Sequence, residues 1–344
     1  MLRVCVRTTA VVIVLSAVWG GAETNPPREH FDHATVLYDW VTNNKGEKLR
    51  TFVTRPTDSR AANDAGKVPV IFFVGWLSCD SMEAPDANTT DGFSIFMRRL
   101  IDQSGYATVR MDKPGVGESQ GDCSKADFES EMSGWQAVFE AMSKYNFIDL
   151  DRVIVVGMSN GGGFSPMVAG NHAVRGFVSC GSWGRTWYEH MLELERRRLM
   201  EEKKSPAEIN TAMKGYVEFY TLYLMKGMTP GQVIAQHPEW KSLWYDAPDG
   251  QYGRPAAFYQ QLQALNLGEV WQKVSVPVLV IHGTGDTIMS RLDGEAIAQS
   301  VEQVHAGHAR YVEIDEMRHG MTVKDKFYDP LVPTVLDWMR EQLK

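Results

Sequence analysis

The chain has 344 residues, of which 44% are hydrophobic and 23% charged, and its formal net charge is -8. This ordinary composition excludes a disordered, collagen-like or repeat-dominated protein, and the length suffices for one large core or two modest domains. Because the balance is acidic and no long basic stretch occurs, we do not expect nucleic acid as a partner.

The first 22 residues differ in character from the rest. Arginines precede a short apolar run at 10–19, and small residues follow it up to Ala22. A positive start, a short apolar middle and a small-residue end are typical of a secretory signal peptide. The run is shorter than the roughly 20 residues of a membrane span, although an uncleaved N-terminal anchor stays the alternative. We expect residues 1–22 to be a signal peptide, and the mature protein to be secreted or periplasmic and not attached to a membrane.

Short apolar runs then alternate with longer helical stretches. Several runs, such as Val68–Val74 and Arg152–Val156, are continuous and rich in β-branched residues, which is typical of strands buried on both faces. The predicted strands are 34–42, 48–56, 68–75, 106–112, 152–158, 175–181, 276–282 and 309–315, and the predicted helices between them lie near 91–104, 126–146, 161–170, 291–304 and 331–343. This alternation predicts an α/β fold with a mostly parallel, eight-stranded sheet flanked by helices.

One region, residues 184–268, interrupts the alternation and contains no predicted strand. Arg185–Lys203 and Pro206–Lys226 are predicted helices, and tryptophan and tyrosine are frequent throughout. An all-helical insertion between two strands of a parallel sheet is typical of a lid or cap. We therefore predict a core formed by residues 23–183 and 269–344 and a helical cap at 184–268, with most aromatic rings packed inside the cap and a few facing a pocket.

A candidate nucleophile stands between a predicted strand and a predicted helix. Residues 157–161 read Gly-Met-Ser-Asn-Gly, the Gly-x-Ser-x-Gly pattern in the strand–turn–helix context that gives it meaning. The sharp turn strains the serine backbone, and glycines on both sides prevent collisions. We therefore predict that Ser159 is the nucleophile.

A serine hydroxyl needs a base, and the base needs an orienting carboxylate. His319 follows the last predicted strand, and Asp286 follows the strand before it. Both loops lie over the carboxyl edge of a parallel sheet, where Ser159 also lies. We predict His319 as the base and Asp286 as its partner, ahead of Asp315 and Glu316. No metal-ligand cluster and no dinucleotide fingerprint occurs in the sequence, so we expect no metal and no cofactor.

The tetrahedral intermediate of acyl transfer also needs backbone donors for its oxyanion. One predicted donor is the N–H of Asn160, which follows the nucleophile. The other comes from the loop after the third strand, where we favour the Trp76 N–H and keep Leu77 as the alternative.

These motifs together resemble the α/β-hydrolase superfamily, from about residue 34 to the end of the chain. The resemblance rests on the turn at 157–161, the acid loop His282–Asp286, the Arg318–Gly320 loop, and Asp112–Ser119, which is similar to the family's Asp-x-x-Gly-x-Gly-x-Ser loop after the fourth strand. It implies a position for a cap between the sixth and seventh strands, where residues 184–268 lie. One departure is Val74-Gly75, where many members carry His-Gly.

The family's strand order makes the third and fourth strands neighbours, which implies a Cys79–Cys123 disulfide. Export would permit this bond, and two reduced thiols are the alternative. Cys180, at the end of a predicted strand, is expected to be a buried small hydrophobe.

A serine nucleophile with a histidine base implies acyl transfer through an acyl-enzyme. We expect a secreted carboxylesterase that cleaves an ester of a small or medium acyl or aromatic substrate. An aminopeptidase-like serine peptidase of the same fold stays open, and it would need an acidic side chain such as Glu189, Glu193 or Glu218 to hold a peptide terminus. An acyltransferase and a non-catalytic binding protein are further alternatives. The substrate is then a small-molecule ester or a peptide, and the oligomeric state is left open.

Overall fold

The main sheet contains eight strands, and the predicted mostly parallel α/β fold is confirmed. The computed structural model describes residues 28–58 and 60–344, so the predicted signal peptide at 1–22 lies outside the described residues. The strands of the main sheet are β1 (Ala34–Thr42), β2 (Lys48–Pro56), β3 (Val68–Val74), β4 (Ala107–Met111), β5 (Ile148–Met158), β6 (Gly176–Cys180), β7 (Val278–Gly283) and β8 (Ala309–Ile314).

The strands lie in the order β1-β2-β4-β3-β5-β6-β7-β8. Only the β1–β2 and β2–β4 pairs are antiparallel, and the other pairs are parallel. Every residue of β3, β4, β6 and β7 is buried. Helices cover both faces of these central strands, which explains why their sequences are continuous apolar runs rather than alternating ones.

The helices are α1 (Gly92–Ser104), α2 (Phe128–Ala141), α3 (Asn160–Ala169), α4 (Trp187–Glu201), α5 (Pro206–Tyr220), α6 (Pro230–Gln236), α7 (Ala256–Gln263), α8 (Leu267–Gln272), α9 (Arg291–Val304) and α10 (Leu331–Gln342). Helix α1 begins after Asp91, whose side chain accepts a hydrogen bond from the Ser94 N–H, and it ends at Gly105 with a left-handed φ of 70°. The predicted helix 126–146 ends earlier, at Ala141, and a short 3-10 turn follows it. None of the described helices is long and apolar enough to cross a membrane.

The strand register brings the carboxyl ends of the parallel strands to one edge. Val74 pairs with Gly157, Met158 pairs with Cys180, and Gly283 pairs with Ile314. The loops after β3, β5, β7 and β8 therefore emerge side by side, at the edge where ligands of open α/β sheets bind.

Helices α4 to α8 lie between β6 and β7, in the region predicted as a cap. The prediction that this region is entirely helical is wrong in one place, because Gly250–Gln251 and Arg254–Pro255 form a small antiparallel hairpin. Its turn residues, Tyr252 and Gly253, both have positive φ, as a tight two-residue hairpin turn requires. Tyr-Gly is not one of the usual sequence signals for such a turn, which explains why the pattern missed it. The division into a core and a cap at 184–268 stays a prediction.

Cys79 and Cys123 form a disulfide that spans 44 residues, as the family resemblance implies. Cys79 lies in the loop after β3, and Cys123 lies in the connection between β4 and α2. Cys180 is a free, buried thiol at the end of β6.

Candidate active site

Ser159 lies at the sharp turn between β5 and α3. Its φ is 56°, a left-handed value that a non-glycine residue adopts only when its surroundings enforce it. The turn is tightly packed: a Cβ on Gly157 would lie 2.3 Å from the Gly162 Cα, and one on Gly161 would lie 2.0 Å from the Gly75 carbonyl oxygen. Glycines at 157 and 161 therefore allow both the turn itself and the close approach of the loop after β3.

The structure brings together the three residues that the sequence predicts as a triad. His319 Nε2 lies 3.0 Å from Ser159 Oγ, and His319 Nδ1 lies 2.8 Å from Asp286 Oδ2. Ser159 follows β5, Asp286 follows β7 and His319 follows β8, so the strand register alone places all three loops together. These distances suit transfer of the serine proton to the imidazole.

The Asp286 carboxylate is held in a fixed orientation. Its Oδ1 accepts hydrogen bonds from the N–H groups of Ile288 (2.8 Å) and Met289 (2.9 Å), which leaves Oδ2 facing His319. A carboxylate held in this way keeps the proton of a neutral imidazole on Nδ1 and leaves Nε2 free to accept. Asp315, the alternative partner near His319 in sequence, instead accepts a hydrogen bond from Thr284 Oγ1 at 3.1 Å.

Two further ionisable groups near the triad, the Cys180 thiol and the His282 imidazole, have pKa values that favour their neutral forms. Cys180 is fully buried beside Ser159, whose N–H donates to the Cys180 carbonyl, and burial followed by the charge of Asp286 raises the pKa of its thiol to about 12. Burial also lowers the pKa of His282, which favours the neutral imidazole near the acid loop. The group that contacts Asp286 Oδ2 is the His319 imidazole, at 2.8 Å.

The residues predicted to supply the oxyanion donors follow the nucleophile in sequence or line the same cavity. Helix α3 begins at Asn160, and the first amides of a helix have no carbonyl partner within it and carry partial positive charge. Trp76 and Leu77 line the same cavity as Ser159 and His319. We name residues 75–82 the β3 loop.

A cavity of about 720 Å³ opens over Ser159 and His319. Its wall is mostly apolar and includes four aromatic rings together with aliphatic side chains. These residues are Trp76, Phe93, Trp187, Tyr252, Leu77, Leu194, Ile288 and Met289. The aromatic rings of the β3 loop and α1 meet at the site, because Trp76 stacks on Phe93 with 5.2 Å between centroids and Phe93 contacts His319 edge-on at 5.6 Å.

One wall of the cavity comes from the insertion between β6 and β7. Trp187, His190 and Leu194 of α4 line it, together with Tyr252 from the hairpin. The sequence alone does not distinguish the aromatic residues of the insertion that face a pocket from those that pack inside it. The spacing of 187, 190 and 194 is that of one helix face, so helical periodicity could have grouped these three residues.

His190 was not singled out from the sequence. It is 2% exposed, and its Nδ1 lies 3.8 Å from Asp293 Oδ2, while Asp293 Oδ1 also accepts a hydrogen bond from Arg185 Nε at 3.1 Å. Burial raises the pKa of Asp293, but the neighbouring His190 and Arg185 outweigh it and hold that pKa well below its usual range. Asp293 therefore carries a negative charge behind this wall of the cavity.

The β3 loop is held by a carboxylate from the next parallel strand. Asp112 follows β4 and accepts hydrogen bonds from Ser81 Oγ, at 2.9 Å and 2.7 Å to its two oxygens, and from the Met82 N–H at 2.6 Å. Burial raises the pKa of Asp112 to about 6, against the opposing effect of these hydrogen bonds. Asp112 opens the motif that carried the family resemblance, and the structure shows that it contacts the β3 loop.

Comparison with known proteins agrees with this architecture. The family described as serine aminopeptidase, S33, matches residues 92–326. No curated protein sequence matches the chain. Among solved structures, Est1E from Butyrivibrio proteoclasticus with bound ferulic acid shares 16% identity over 89% of this chain and 99% of its own, with a TM-score of 0.57.

Two further structures share the fold. A thermophilic esterase from Thermogutta terrifontis is 16% identical over 90% of this chain and 100% of its own, with a TM-score of 0.53. Acetyl xylan esterase 1 from a Thermoanaerobacterium species is 14% identical over 92% of this chain and 86% of its own, with a TM-score of 0.53. The matched family spans more than half of the residues and includes Ser159, Asp286 and His319. The chain therefore belongs to the serine aminopeptidase S33 family of α/β-hydrolases.

Proposed function

We propose that the protein is a secreted or periplasmic serine carboxylesterase that hydrolyses an ester of a small or medium acyl or aromatic substrate through an acyl-enzyme on Ser159. The observation that carries the proposal is the hydrogen-bonded chain from Ser159 through His319 to Asp286, which opens onto an apolar cavity rich in aromatic side chains. The Cys79–Cys123 disulfide supports an oxidising compartment.

In the first step, Ser159 Oγ attacks the ester carbonyl carbon while His319 Nε2 takes the hydroxyl proton. Asp286 stabilises the imidazolium that forms and keeps the ring in place. The carbonyl oxygen becomes an oxyanion, which accepts hydrogen bonds from the Asn160 N–H and the Trp76 N–H, with the Leu77 N–H as the alternative donor. Collapse of this intermediate breaks the bond to the alcohol oxygen, and His319 gives its proton to the departing alcohol.

In the second step, water replaces the alcohol. His319 Nε2 takes a proton from the water as its oxygen attacks the acyl carbon, and the same donors hold the second oxyanion. Collapse breaks the bond to Ser159 Oγ, which regains its proton from His319, and the carboxylic acid leaves. Each proton that the histidine accepts is returned, so the cycle needs no cofactor.

The cavity favours an apolar or aromatic substrate. A volume of about 720 Å³ falls within the range of small-molecule sites, and side chains such as Trp187 and Tyr252 offer flat apolar surface on the insertion side. Solved structures with this fold include esterases, so the fold accommodates this chemistry.

An aminopeptidase is the second candidate, because the family description names that activity. Such an enzyme needs a free acidic side chain in the cavity for the amino group of the peptide. The three glutamates considered from the sequence do not line the cavity. Glu189 completes the N-terminal cap of α4, Glu193 accepts a hydrogen bond from Ser290 at 2.7 Å, and Glu218 is exposed.

Two carboxylates line the cavity, those of Asp80 and Asp91, and each accepts a hydrogen bond through one of its oxygens. Asp80 accepts a hydrogen bond from Ser78 Oγ, and Asp91 caps α1. One accepted hydrogen bond leaves a carboxylate able to accept others, so turnover of anilides against esters decides between the aminopeptidase and the esterase.

The test compares the mature protein with Ser159→Ala on a series of p-nitrophenyl esters and on aminoacyl p-nitroanilides. We expect ester turnover that falls by about 10⁴-fold or more in Ser159→Ala, with a chain-length optimum that measures the acyl pocket. Ser143→Ala, which changes an exposed serine in the turn after α2, is the matched control and should keep full activity.

Other outcomes would change the assignment. Anilide turnover above ester turnover would identify a peptidase. Product formation that requires an added alcohol or amine would identify an acyltransferase. If neither class of substrate reacts and a fluorophosphonate probe leaves Ser159 unlabelled, the protein is a binding protein and the proposal is wrong.

A further inference from the structure

The β3 loop turns three successive backbone carbonyls toward two buried cations. The Lys113 ammonium donates to the carbonyl oxygens of both Trp76 and Ser78. Arg254 Nε donates to the carbonyl between them, that of Leu77, at 3.2 Å. Both cations are almost fully buried, at 1% exposure for Lys113 and 2% for Arg254.

The geometry of the peptide unit makes this arrangement relevant to catalysis. In a planar trans peptide the C=O and N–H bonds point in opposite directions. A fixed Trp76 carbonyl therefore fixes the direction of the Leu77 N–H, and it also restrains Trp76, whose own N–H is the other candidate donor. Backbone donors stabilise an oxyanion only when they are held in position before the reaction.

We infer that Lys113 and Arg254 are positioning residues that clamp the β3 loop and so hold the backbone donors of the oxyanion site. This inference rests on the proposed serine hydrolase function. Neither residue lines the cavity, so each acts through the loop and not by contact with the substrate.

The burial of Lys113 argues that its charge has a role beyond packing. Moving an ammonium out of water is unfavourable, and burial is the first cause that lowers the pKa of Lys113 to about 8. Glu131, Asp80 and Asp112 oppose this shift, and Arg254 adds to it. An apolar side chain at position 113 would avoid the desolvation, but it would leave the carbonyls of Trp76 and Ser78 without these donors.

Arg254 links the clamp to the insertion. Arg254 is the first residue after the hairpin turn, and Tyr252 in that turn lines the cavity. Arg254 also pairs with the buried carboxylate of Glu131 on α2 and reaches the Cys123 carbonyl at 3.5 Å. The position of the hairpin is therefore coupled through Arg254 to the loop that carries the oxyanion donors.

The first test is Lys113→Met, measured beside Lys125→Met. Lys125 is exposed, lies in the same connection between β4 and α2, and pairs with Asp122 at the surface. Kinetics on the best p-nitrophenyl ester should show kcat lowered about 10- to 100-fold in Lys113→Met, somewhat less than removal of a whole donor. KM should change less than about 3-fold, because a clamp acts on the transition state and not on ground-state binding. Lys125→Met should match the wild type.

A second variant tests the same inference independently, in case Lys113→Met does not fold. Arg254→Met combined with Glu131→Gln removes the other cation without leaving its carboxylate charged and buried. It should lower kcat in the same way, and combining it with Lys113→Met should lower kcat by less than the product of the two separate factors, because both act on one loop. Unfolding temperatures and circular dichroism establish that each variant is folded at the assay temperature.

The rate of fluorophosphonate labelling at Ser159 separates this inference from the proposed esterase activity. Labelling needs the nucleophile and the oxyanion donors but no particular substrate. If the wild type is labelled but does not turn over esters, the esterase proposal fails. The labelling rate then tests the clamp, and it should fall about 10-fold or more in Lys113→Met. If folded Lys113→Met and the Arg254 variant both keep wild-type kcat and labelling rates, or if the wild type does not label, the clamp is wrong.

Discussion

The turn that carries Ser159 and the β3 loop meet at the same point of the site but are held there by different forces. The turn is held by backbone hydrogen bonds: the Ser159 N–H donates to the Cys180 carbonyl of β6 at 3.0 Å, and the Gly162 N–H donates to the Ser159 carbonyl at 3.1 Å. The β3 loop is held by side chains from elsewhere, through the ammonium of Lys113, the guanidinium of Arg254 and a disulfide.

The Ser159 turn and the β3 loop thus illustrate two ways to fix the position of backbone at a candidate active site. Close packing of glycines tolerates no added atom, so the turn should fail abruptly on substitution. Charged side chains and a disulfide restrain a loop through several separate contacts. Activity should therefore fall in steps as each contact to the β3 loop is removed.

Among substitutions that leave the three triad residues in place, the largest effect is expected from Gly161→Ala, which changes the contact between the Ser159 turn and the β3 loop. The added Cβ would lie 2.0 Å from the Gly75 carbonyl oxygen and 2.8 Å from that of Val74. Backbone atoms cannot give way as a flexible side chain can, so the β3 loop must move away from Ser159. We expect kcat/KM to fall by at least about 10³-fold, as when oxyanion stabilisation and alignment are lost together. Steady-state kinetics on the best ester measures the loss.

Gly268→Ala is the matched control. It lies inside α8, where the nearest atom to an added Cβ is a side-chain oxygen at 3.4 Å, an ordinary contact. Alanine should raise the free energy of unfolding slightly and leave activity unchanged. Activity of Gly161→Ala within about 10-fold of the wild type would show that the two regions are not rigidly packed together.

The contrast also explains what the sequence could predict. Ser159 was identified because its motif occupies five adjacent residues between a strand and a helix, and the alternation of apolar runs predicted all eight strands of the main sheet. Asp286 and His319 followed because strand ends converge on one edge. The structure places these three side chains within hydrogen-bonding distance, and their catalytic roles stay predictions.

The contacts of the β3 loop had no comparable local signal. Lys113 is 37 residues from Trp76, and Arg254 is 177 residues from Leu77. A lysine or arginine in a sequence usually indicates an exposed residue, and only the packed fold shows that these two are buried. Lys113 lies within the Asp112–Ser119 motif, but the motif by itself does not indicate what the lysine contacts.

The next largest effect is expected from the disulfide, which restrains the β3 loop by a covalent bond. Replacing Cys79 and Cys123 together with serine removes a link across 44 residues. In the chain-entropy model this lowers the free energy of unfolding by roughly 3–4 kcal/mol, and denaturant titration measures it. Because Lys113 and Arg254 still hold the loop, kcat should fall less than in Lys113→Met.

Thiol counting provides the control for the bond itself. Denatured but unreduced mature protein should expose one reactive thiol, that of Cys180, and reduction should expose three. Three thiols before reduction would mean that the disulfide does not form, and the double serine variant would then match the wild type in stability.

The smallest effect is expected from a substitution of Phe93, whose ring contacts both Trp76 of the β3 loop and the ring of His319. One face stacks on Trp76 of the β3 loop at 5.2 Å, and Phe93 also contacts the ring of His319 at 5.6 Å. Aromatic pairs of this kind contribute about 0.5–1.5 kcal/mol beyond the area they bury. We expect Phe93→Leu to lower kcat/KM about 5-fold, and Phe147→Leu, a partly buried ring outside the cavity, to leave it unchanged.

The division of this effect between kcat and KM distinguishes two roles for Phe93. The ring either only lines the substrate cavity or positions Trp76 and His319. A ring that only lines the cavity contributes equally to ground state and transition state, so its loss raises KM and leaves kcat unchanged. A ring that keeps Trp76 and His319 in register contributes mainly when the oxyanion forms and the proton moves, so its loss lowers kcat. Because Phe93 touches both the base and the β3 loop, we expect most of the effect in kcat, and a change confined to KM would show that the β3 loop and the base are held independently of this ring.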